Sequence, residues 1–284
     1  MAIINGKAIA EQIKQELKLQ AANLIKKRIR PTLAVVQVGN NEASNIYIRN
    51  KKKIAEELNI KFIHLHFGEK ITTNDLLNEI NKINLDKTIH GLFVQLPLPK
   101  HINEFAIINA IDPNKDVDCF SIANIGRLWS AKPNDLIIKP NTPAGIIELI
   151  KRSGISLEGK NVTVIGRSNI VGKPLIALLM MENATVTVCH SKTKNLAKVC
   201  AKADILISAV GKAKLVTEDF VKKGAVVIDV GINRDESGKI CGDVDFNPVQ
   251  LKTNMITPVP GGVGPMTVVM LMKNLIELAK NYRK

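Results

Sequence analysis

Twice along the chain, short apolar runs alternate with segments whose apolar residues recur at helical spacing. That rhythm restricts the fold to parallel α/β architectures, because parallel neighbouring strands need a long crossover and a helix is the usual one. In the first passage Ala8–Lys27 reads as a helix, with Ile9, Ile13, Leu17, Ala21 and Leu24 on one face. Thr32–Val38 reads as a buried strand ended by Gly39-Asn40-Asn41. Helix 42–58, strand 60–67, helix 73–83 (capped near Thr73 or Asn74) and strand 91–95 follow. Periodicity fades between Asp112 and Pro143, where turn residues dominate. A loop-rich stretch of that length is usually functional or a domain connection.

Thr142-Pro143 then opens a helix through Arg152, with proline where a helix tolerates it. The second passage runs strand 162–165, helix 171–181, strand 185–189, helix 196–201, and strands 205–209 and 226–230. An amphipathic helix, 266–282, closes the chain; a terminal helix needs a partner for its apolar face, so it is expected to pack on the first domain. The expected fold is therefore α/β in two domains. Residues 1–142 form an N-terminal catalytic domain completed by 265–284, and 143–264 form a Rossmann-type cofactor domain.

Bulk properties exclude several classes. No apolar stretch approaches the ~20 residues that span a bilayer, and Met1 leads directly into a helical pattern without a signal segment. The expectation is a cytoplasmic protein with no membrane partner. Cys119, Cys189, Cys200 and Cys241 are scattered and the five histidines are not spaced as ligands, so neither a disulfide framework nor a metal site is expected. The formal charge of +14 raises nucleic acid as a partner. Against it, lysines outnumber arginines 32 to 8 and aromatic residues are 4%, whereas base reading favours arginine and stacking needs aromatic rings. A lysine-rich solvated surface, useful to an anionic ligand, is the simpler reading.

Val164-Ile-Gly-Arg-Ser-Asn-Ile-Val-Gly-Lys-Pro-Leu places a glycine turn between a strand and a helix. Gly166 permits the tight turn, and a helix N-terminus offers free N–H groups to a pyrophosphate. Ser168 stands where the usual Gly-x-Gly-x-x-Gly pattern has its middle glycine, so the pattern alone also fits a structural turn. About twenty residues on, NAD sites carry an acid for the ribose; here the strand ends in Cys189-His190-Ser191-Lys192. Ser191 with Arg167 suits a 2′-phosphate, which an acid would repel, so NADP is the expected cofactor. Asp229-Val-Gly-Ile-Asn-Arg puts Ile232 where a nicotinamide or ribose could rest, and fits an ordinary strand-end turn equally well.

Tyr47 and Lys51 are four apart on a helix and share a face. A buried lysine beside a phenol can be a general acid/base, although spacing alone favours an exposed pair beside Lys52 and Lys53. Three further motifs change that balance. Gly91-Leu-Phe-Val-Gln-Leu-Pro-Leu-Pro puts Gln95 at the carboxyl end of a strand, where open sheets hold ligands. Asp112-Pro-Asn-Lys-Asp-Val-Asp-Cys-Phe supplies Asp118. Thr257-Pro-Val-Pro-Gly-Gly-Val-Gly-Pro-Met-Thr is a small-residue segment that backbone can use to approach a flat ring.

With these motifs in order from about Gly6 to Leu278, the chain closely resembles the methylenetetrahydrofolate dehydrogenase/cyclohydrolase family. The resemblance implies NADP-dependent oxidation of 5,10-methylenetetrahydrofolate and hydrolysis of the methenyl product to 10-formyltetrahydrofolate, a step of one-carbon metabolism feeding purine, methionine and histidine biosynthesis. It implies that Lys51 is the essential lysine of hydrolysis, that Tyr47 stacks near the pterin, and that Gln95 hydrogen-bonds the lysine. Asp118 would grip the amino-pyrimidine edge of the pterin. Gly166, Arg167, Ser168, Ser191 and Ile232 would contact NADP, and Pro258 and Gly262 the folate. Two long helices would join the domains, tetrahydrofolate derivatives (polyglutamylated forms included) would be the ligands, and a homodimer would form through the cofactor domains.

Two positions depart from the family pattern. Cys119 stands where a glycine usually follows the pterin-binding acid, and Asn141 where a cysteine is usual. If residue 119 needs a positive φ, a cysteine there costs roughly 1 kcal/mol and shifts the loop. A different dehydrogenase on a similar scaffold, such as an amino-acid dehydrogenase, would share the cofactor module but not Tyr47, Lys51, Gln95 and Asp118 together. A member lacking the hydrolase activity is the nearer rival.

Overall fold

A computed structural model describes residues 2–132 and 135–282. The elements, in chain order, begin with a short strand β1 (Ala2–Ile3) and a long helix α1 (Gly6–Lys26). Then come β2 (Thr32–Val38), α2 (Glu42–Glu57), β3 (Lys61–Phe67), α3 (Thr73–Leu85), β4 (Gly91–Val94), α4 (Glu104–Ala110) and α5 (Ile122–Ser130). β2 lies between β3 and β4, parallel to both. All seven residues of β2 are buried, which is why it reads as a continuous apolar run. Its two polar members are satisfied, Thr32 by the Arg30 carbonyl and Gln37 by the Gly39 carbonyl, Asn45 and His64. The helices start at side-chain caps: Asn41 accepts from the Ser44 amide, Thr72 from Asp75, Asn103 from Ala106 and Ser121 from Asn124. Thr72 rather than Thr73 or Asn74 is thus the α3 cap. The stretch expected to be loop holds α5, a nine-residue helix whose apolar pattern is interrupted by Gly126.

The second passage comprises α6 (Asn141–Arg152), β5 (Asn161–Ile165), α7 (Gly172–Met181), β6 (Thr185–Cys189), α8 (Leu196–Cys200), β7 (Ile205–Ser208) and β8 (Val226–Asp229). A two-stranded ribbon of β9 (Asn233–Arg234) and β10 (Ile240–Cys241), then α9 (Phe246–Lys252), β11 (Met255–Ile256) and α10 (Val263–Asn281) complete the chain. The main sheet has order β1-β11-β8-β7-β5-β6, every pairing parallel. β5 leads to β6 on one side and the chain then returns to β7 on the other, so the strand order reverses beside β5.

Two compact units result. One contains residues 12–131, 135–139 and 268–282, the other 2–11, 132 and 140–267. Both main boundaries fall within long helices, α1 and α10. Most of the last helix, from residue 268 on, falls in the unit of the first passage. The first eleven residues do not: β1 pairs with β11 in the second unit's sheet, so the expected span of 1–142 is too generous at its start. Two-residue strands carry no periodicity by which such a pairing could be foreseen.

Candidate functional site

In the first unit the strand order also reverses beside the central strand, since β2 leads to β3 on one side and then to β4 on the other. Open α/β sheets bind ligands beyond the carboxyl ends of strands at such a point. Gln95 leaves the end of β4, its amide held by the Val36 carbonyl of β2. Its side-chain Nε2 donates to the Leu96 carbonyl at 2.8 Å, which turns Oε1 towards α2. There Lys51 Nζ donates to it at 3.2 Å and lies 3.8 Å above the centre of the Phe93 ring. Burial lowers the pKa of Lys51, and the nearby Asp118 carboxylate opposes that shift. Burial is the larger effect, so the ammonium gives up its proton more readily than a solvated lysine. Tyr47, one turn earlier on α2, is 49% exposed and presents a free ring face.

Asp118 belongs to a loop organised by a neighbour that sequence patterning missed. Asp116 is buried and accepts from the amides of Cys119 (2.9 Å) and Ser121 (2.9 Å), from the Phe120 amide, and from Asn124 Nδ2 (3.0 Å). On α10, the buried Asn274 donates to the carbonyls of Val117 and Lys139, fixing the backbone next to Asp118. Cys119 has φ +60°, so the residue that replaces the usual glycine does sit in the left-handed region. Its thiol is buried and its pKa is pushed up by that burial and by Asp116 and Asp118. Asn141 is buried at the first position of α6.

The second unit gathers the other candidates. Gly166, at φ +118°, ends β5 at the reversal point, and a Cβ there would collide with the Ala209 carbonyl beyond β7. A Cβ on Gly172 would lie 2.7 Å from Arg167 Cα and closer still to the Gly166 carbonyl oxygen. The two glycines therefore let α7 and the turn pack backbone to backbone. Ser168 Oγ accepts from the amides of Val171 and Gly172, capping α7 from within the turn. Arg167 and Ser191 are exposed, and no acid stands between Cys189 and Asn195. Ile232 is 57% exposed. Gly262 is buried against the Pro258 carbonyl, with Gly6 packed tightly on it, and Pro258 is partly exposed.

Residues 4–118 match the catalytic domain of tetrahydrofolate dehydrogenase/cyclohydrolase, and residues 140–283 its NAD(P)-binding domain. The chain belongs to the tetrahydrofolate dehydrogenase/cyclohydrolase family. It is 55% identical to the bifunctional protein FolD of Agathobacter rectalis over 98% of this chain and 99% of that one. The FolD dehydrogenase/cyclohydrolase structure from Campylobacter jejuni is 48% identical and superposes with TM-score 0.96 over 99% of both chains. The Trypanosoma brucei family enzyme, solved with NADP and an inhibitor, is 38% identical with TM-score 0.93, covering 99% of this chain and 98% of its own.

Beneath the ribbon of the second unit lies a further pair of acids absent from the sequence expectations as a unit. Asp229 accepts from the amides of Gly231, Asp243 and Val244. Asp243 accepts from the Ser208 hydroxyl, the amides of Val210, Gly211 and Lys212, and Asn233. Gly231 is pressed against Asp243 and Gly242 against Asp229, so an acid and a tight glycine alternate on the two segments. Burial pushes the Asp229 carboxyl up to about 6, against the pull of its three amides. This pair locks the segment that carries Ile232.

Proposed function

We infer that the chain oxidises 5,10-methylenetetrahydrofolate with NADP and hydrolyses the 5,10-methenyl product to 10-formyltetrahydrofolate. Relatives of more than half identity named bifunctional support both activities together. The observation that carries the hydrolytic half is the half-buried Lys51–Gln95 contact with Asp118 in electrostatic range. Water adding to the methenyl carbon must lose a proton; as the adduct collapses to the formyl group the ring nitrogen gains one, its bond to that carbon breaks, and the adduct's hydroxyl proton leaves to solvent. A lysine of lowered pKa can take the first and return the second. Gln95 orients the amine through its acceptor oxygen, and Phe93 keeps one side of it dry. Asp118 offers two acceptor oxygens to the N–H donors of a pterin edge, and Tyr47 a ring face to its plane.

For oxidation, bound NADP supplies the hydride acceptor. The second unit's residues suit it: tight glycines at the β5 turn, an exposed Arg167 and Ser191 for a 2′-phosphate, and no acid to repel one. Ile232 offers an apolar contact to the nicotinamide side; of the pair assigned to folate, Pro258 is the partly exposed member and Gly262 shapes the segment behind it. Cofactor binding by residues 140–267 and folate chemistry by the first unit are the division of labour we assign. Cytoplasmic residence, a homodimer through the cofactor units, polyglutamylated ligands and supply of purine, methionine and histidine biosynthesis belong to the same proposal.

Lys51→Met tests it. Hydride transfer requires alignment but no protein proton carrier, whereas hydrolysis requires both proton movements. Methenyl hydrolysis should fall by about 10²–10⁴-fold while measurable dehydrogenase activity remains. Both are followed separately through methenyl absorbance. Unchanged hydrolysis would remove Lys51 from the mechanism, and parallel loss with folate binding intact would make it a residue of the hydride step.

A further inference from the structure

The first unit holds a second concavity, at the other ends of its strands. Its volume is about 660 Å³, and its wall includes Arg28, Arg30, Lys61, Lys87, His90 and Tyr282. Lys61 begins β3 and His90 immediately precedes β4, so the cavity lies at the amino ends of the sheet. Lys51 and Gln95 lie at the carboxyl ends, so the two places are separated by the length of the strands.

The lining is one-sided in charge. Among the described residues, four cations line the cavity and no carboxylate does. Among the described residues none of the four holds an ion pair, although lysines elsewhere on the surface do, such as Lys14 with Glu57. The nearby Asp86 carboxylate is taken up by the amide and hydroxyl of Thr88. Asp86 lies in electrostatic range of Lys61 but is a single negative charge against four cations, and an anion relieves the repulsion that remains.

His90 supplies an independent observation. It is 8% exposed, and its Nδ1 is a buried polar atom without a hydrogen-bond partner. Such an atom has lost its water without compensation, which native structures rarely allow, and marks His90 as an unusual residue in this wall. The His90 and Tyr282 rings meet edge to face at 5.3 Å between centroids, giving the cavity an aromatic wall beside its cationic rim. Small-molecule sites range over about 300–1,000 Å³ and combine apolar walls with a few polar groups, which this cavity matches.

We propose that this cavity binds a nucleoside phosphate, with its phosphates on the arginine and lysine rim and its heterocycle against His90 and Tyr282. The site is separate from the residues assigned to NADP, so the test is made on enzyme saturated with NADP, where added ADP cannot report on the cofactor domain. ADP, pyrophosphate and adenosine are each titrated calorimetrically.

ADP should bind saturably at one site per chain and more tightly than either fragment. The Lys61→Glu/Lys87→Glu variant, altered only at exposed side chains, should weaken ADP by at least about tenfold with basal activities unchanged. Lys87→Gln alone, the milder change, should weaken it in the same direction. The ring nitrogen resonances of His90 should shift on ADP addition. No saturable binding up to about 1 mM, the weak end of specific recognition, would overturn the proposal. So would ADP binding that survives charge reversal, or pyrophosphate binding as tightly as ADP.

Discussion

Replacing Gly172 by alanine sets two opposed effects against each other. Glycine is a poor helix former, and alanine in a helix is favoured by up to about 1 kcal/mol. On propensity alone the variant should be more stable. The added Cβ, however, would stand 2.7 Å from Arg167 Cα, where ordinary contact begins near 3.4 Å, a shortfall of 0.7 Å. The obstructing atoms are backbone of the β5–α7 turn, so no side chain can swing aside. Overpacking of this kind costs about 1–3 kcal/mol, so the steric effect wins and a net loss of about 1–2 kcal/mol is expected.

That loss should lower the midpoint of thermal unfolding by roughly 2–8 °C. The same displacement moves the turn assigned to the cofactor, and misplacement by an ångström can cost about 10²-fold. NADP-dependent kcat/KM should therefore fall by about ten- to a hundredfold, while hydrolysis of added methenyl substrate changes little. Gly126→Ala is the control, because Gly126 lies in α5 with nothing within 4 Å of an added Cβ. There propensity acts alone, and the variant should gain up to about 1 kcal/mol. If Gly172→Ala were as stable as Gly126→Ala and kept its NADP kinetics, the close-approach reasoning would be wrong.

Asp116→Asn leaves the loop short of an acceptor whichever way the amide turns, because both oxygens of Asp116 are in use; denaturant titration should show a loss of about 2–4 kcal/mol, with a raised folate KM. Wild-type stability and KM would refute the hub role. Arg167→Ala should lower kcat/KM for NADP at least about tenfold and leave that for NAD nearly unchanged; equal losses for both cofactors would show that Arg167 does not meet the 2′-phosphate. Asp229, with its carboxyl pushed up from 3.8 to about 6, binds a proton more tightly folded than unfolded. Its contribution to stability therefore rises as pH falls through 6, by about 1 kcal/mol between pH 7 and 5. The stability difference between wild type and Asp229→Asn should shift by that amount over the same interval, and a pH-independent difference would contradict it.

Much of the frame was legible because its elements advertise themselves. β2 is buried along its whole length, the turn residues Gly39-Asn40-Asn41 separate it from α2, and the segment expected at 73–83 is the observed α3 with one more half-turn. Lys51 and Gln95 could be singled out from motif and strand end, and the structure brings them into hydrogen-bond contact. What stayed hidden depends on partners distant in sequence. Asp116, Asn274, Asp229 and Asp243 all accept or supply hydrogen bonds for loop backbone, and nothing in their local pattern separates them from solvated polar residues. The glycines beside the acid pair were the available signal: Gly231 and Gly242 each touch the other segment's carboxylate. Cys119 shows the opposite case, in which a single departure from a family pattern pointed to a real backbone demand, φ +60°.

The two units apply one structural device twice. In each, a central parallel strand sends the chain first to one neighbour and then to the other, and the groups assigned to chemistry leave the strand ends beside that reversal. In the first unit those groups are Gln95 and, across on α2, Lys51; in the second, Gly166 and the Gly172 helix start. At such a place the loops diverge, so a ligand meets backbone N–H groups and side chains without displacing sheet hydrogen bonds. The amino ends of strands have no such divergence, and a cavity there needs a different origin. In the first unit it arises from the cationic residues that begin β3 and precede β4, closed on one side by Tyr282 just beyond α10. Because those residues contribute nothing to the β2 core and leave the Lys51 cluster untouched, they can be altered without disturbing catalysis. A functional ligand at the amino ends would thus be separable by mutation from both established activities of the family.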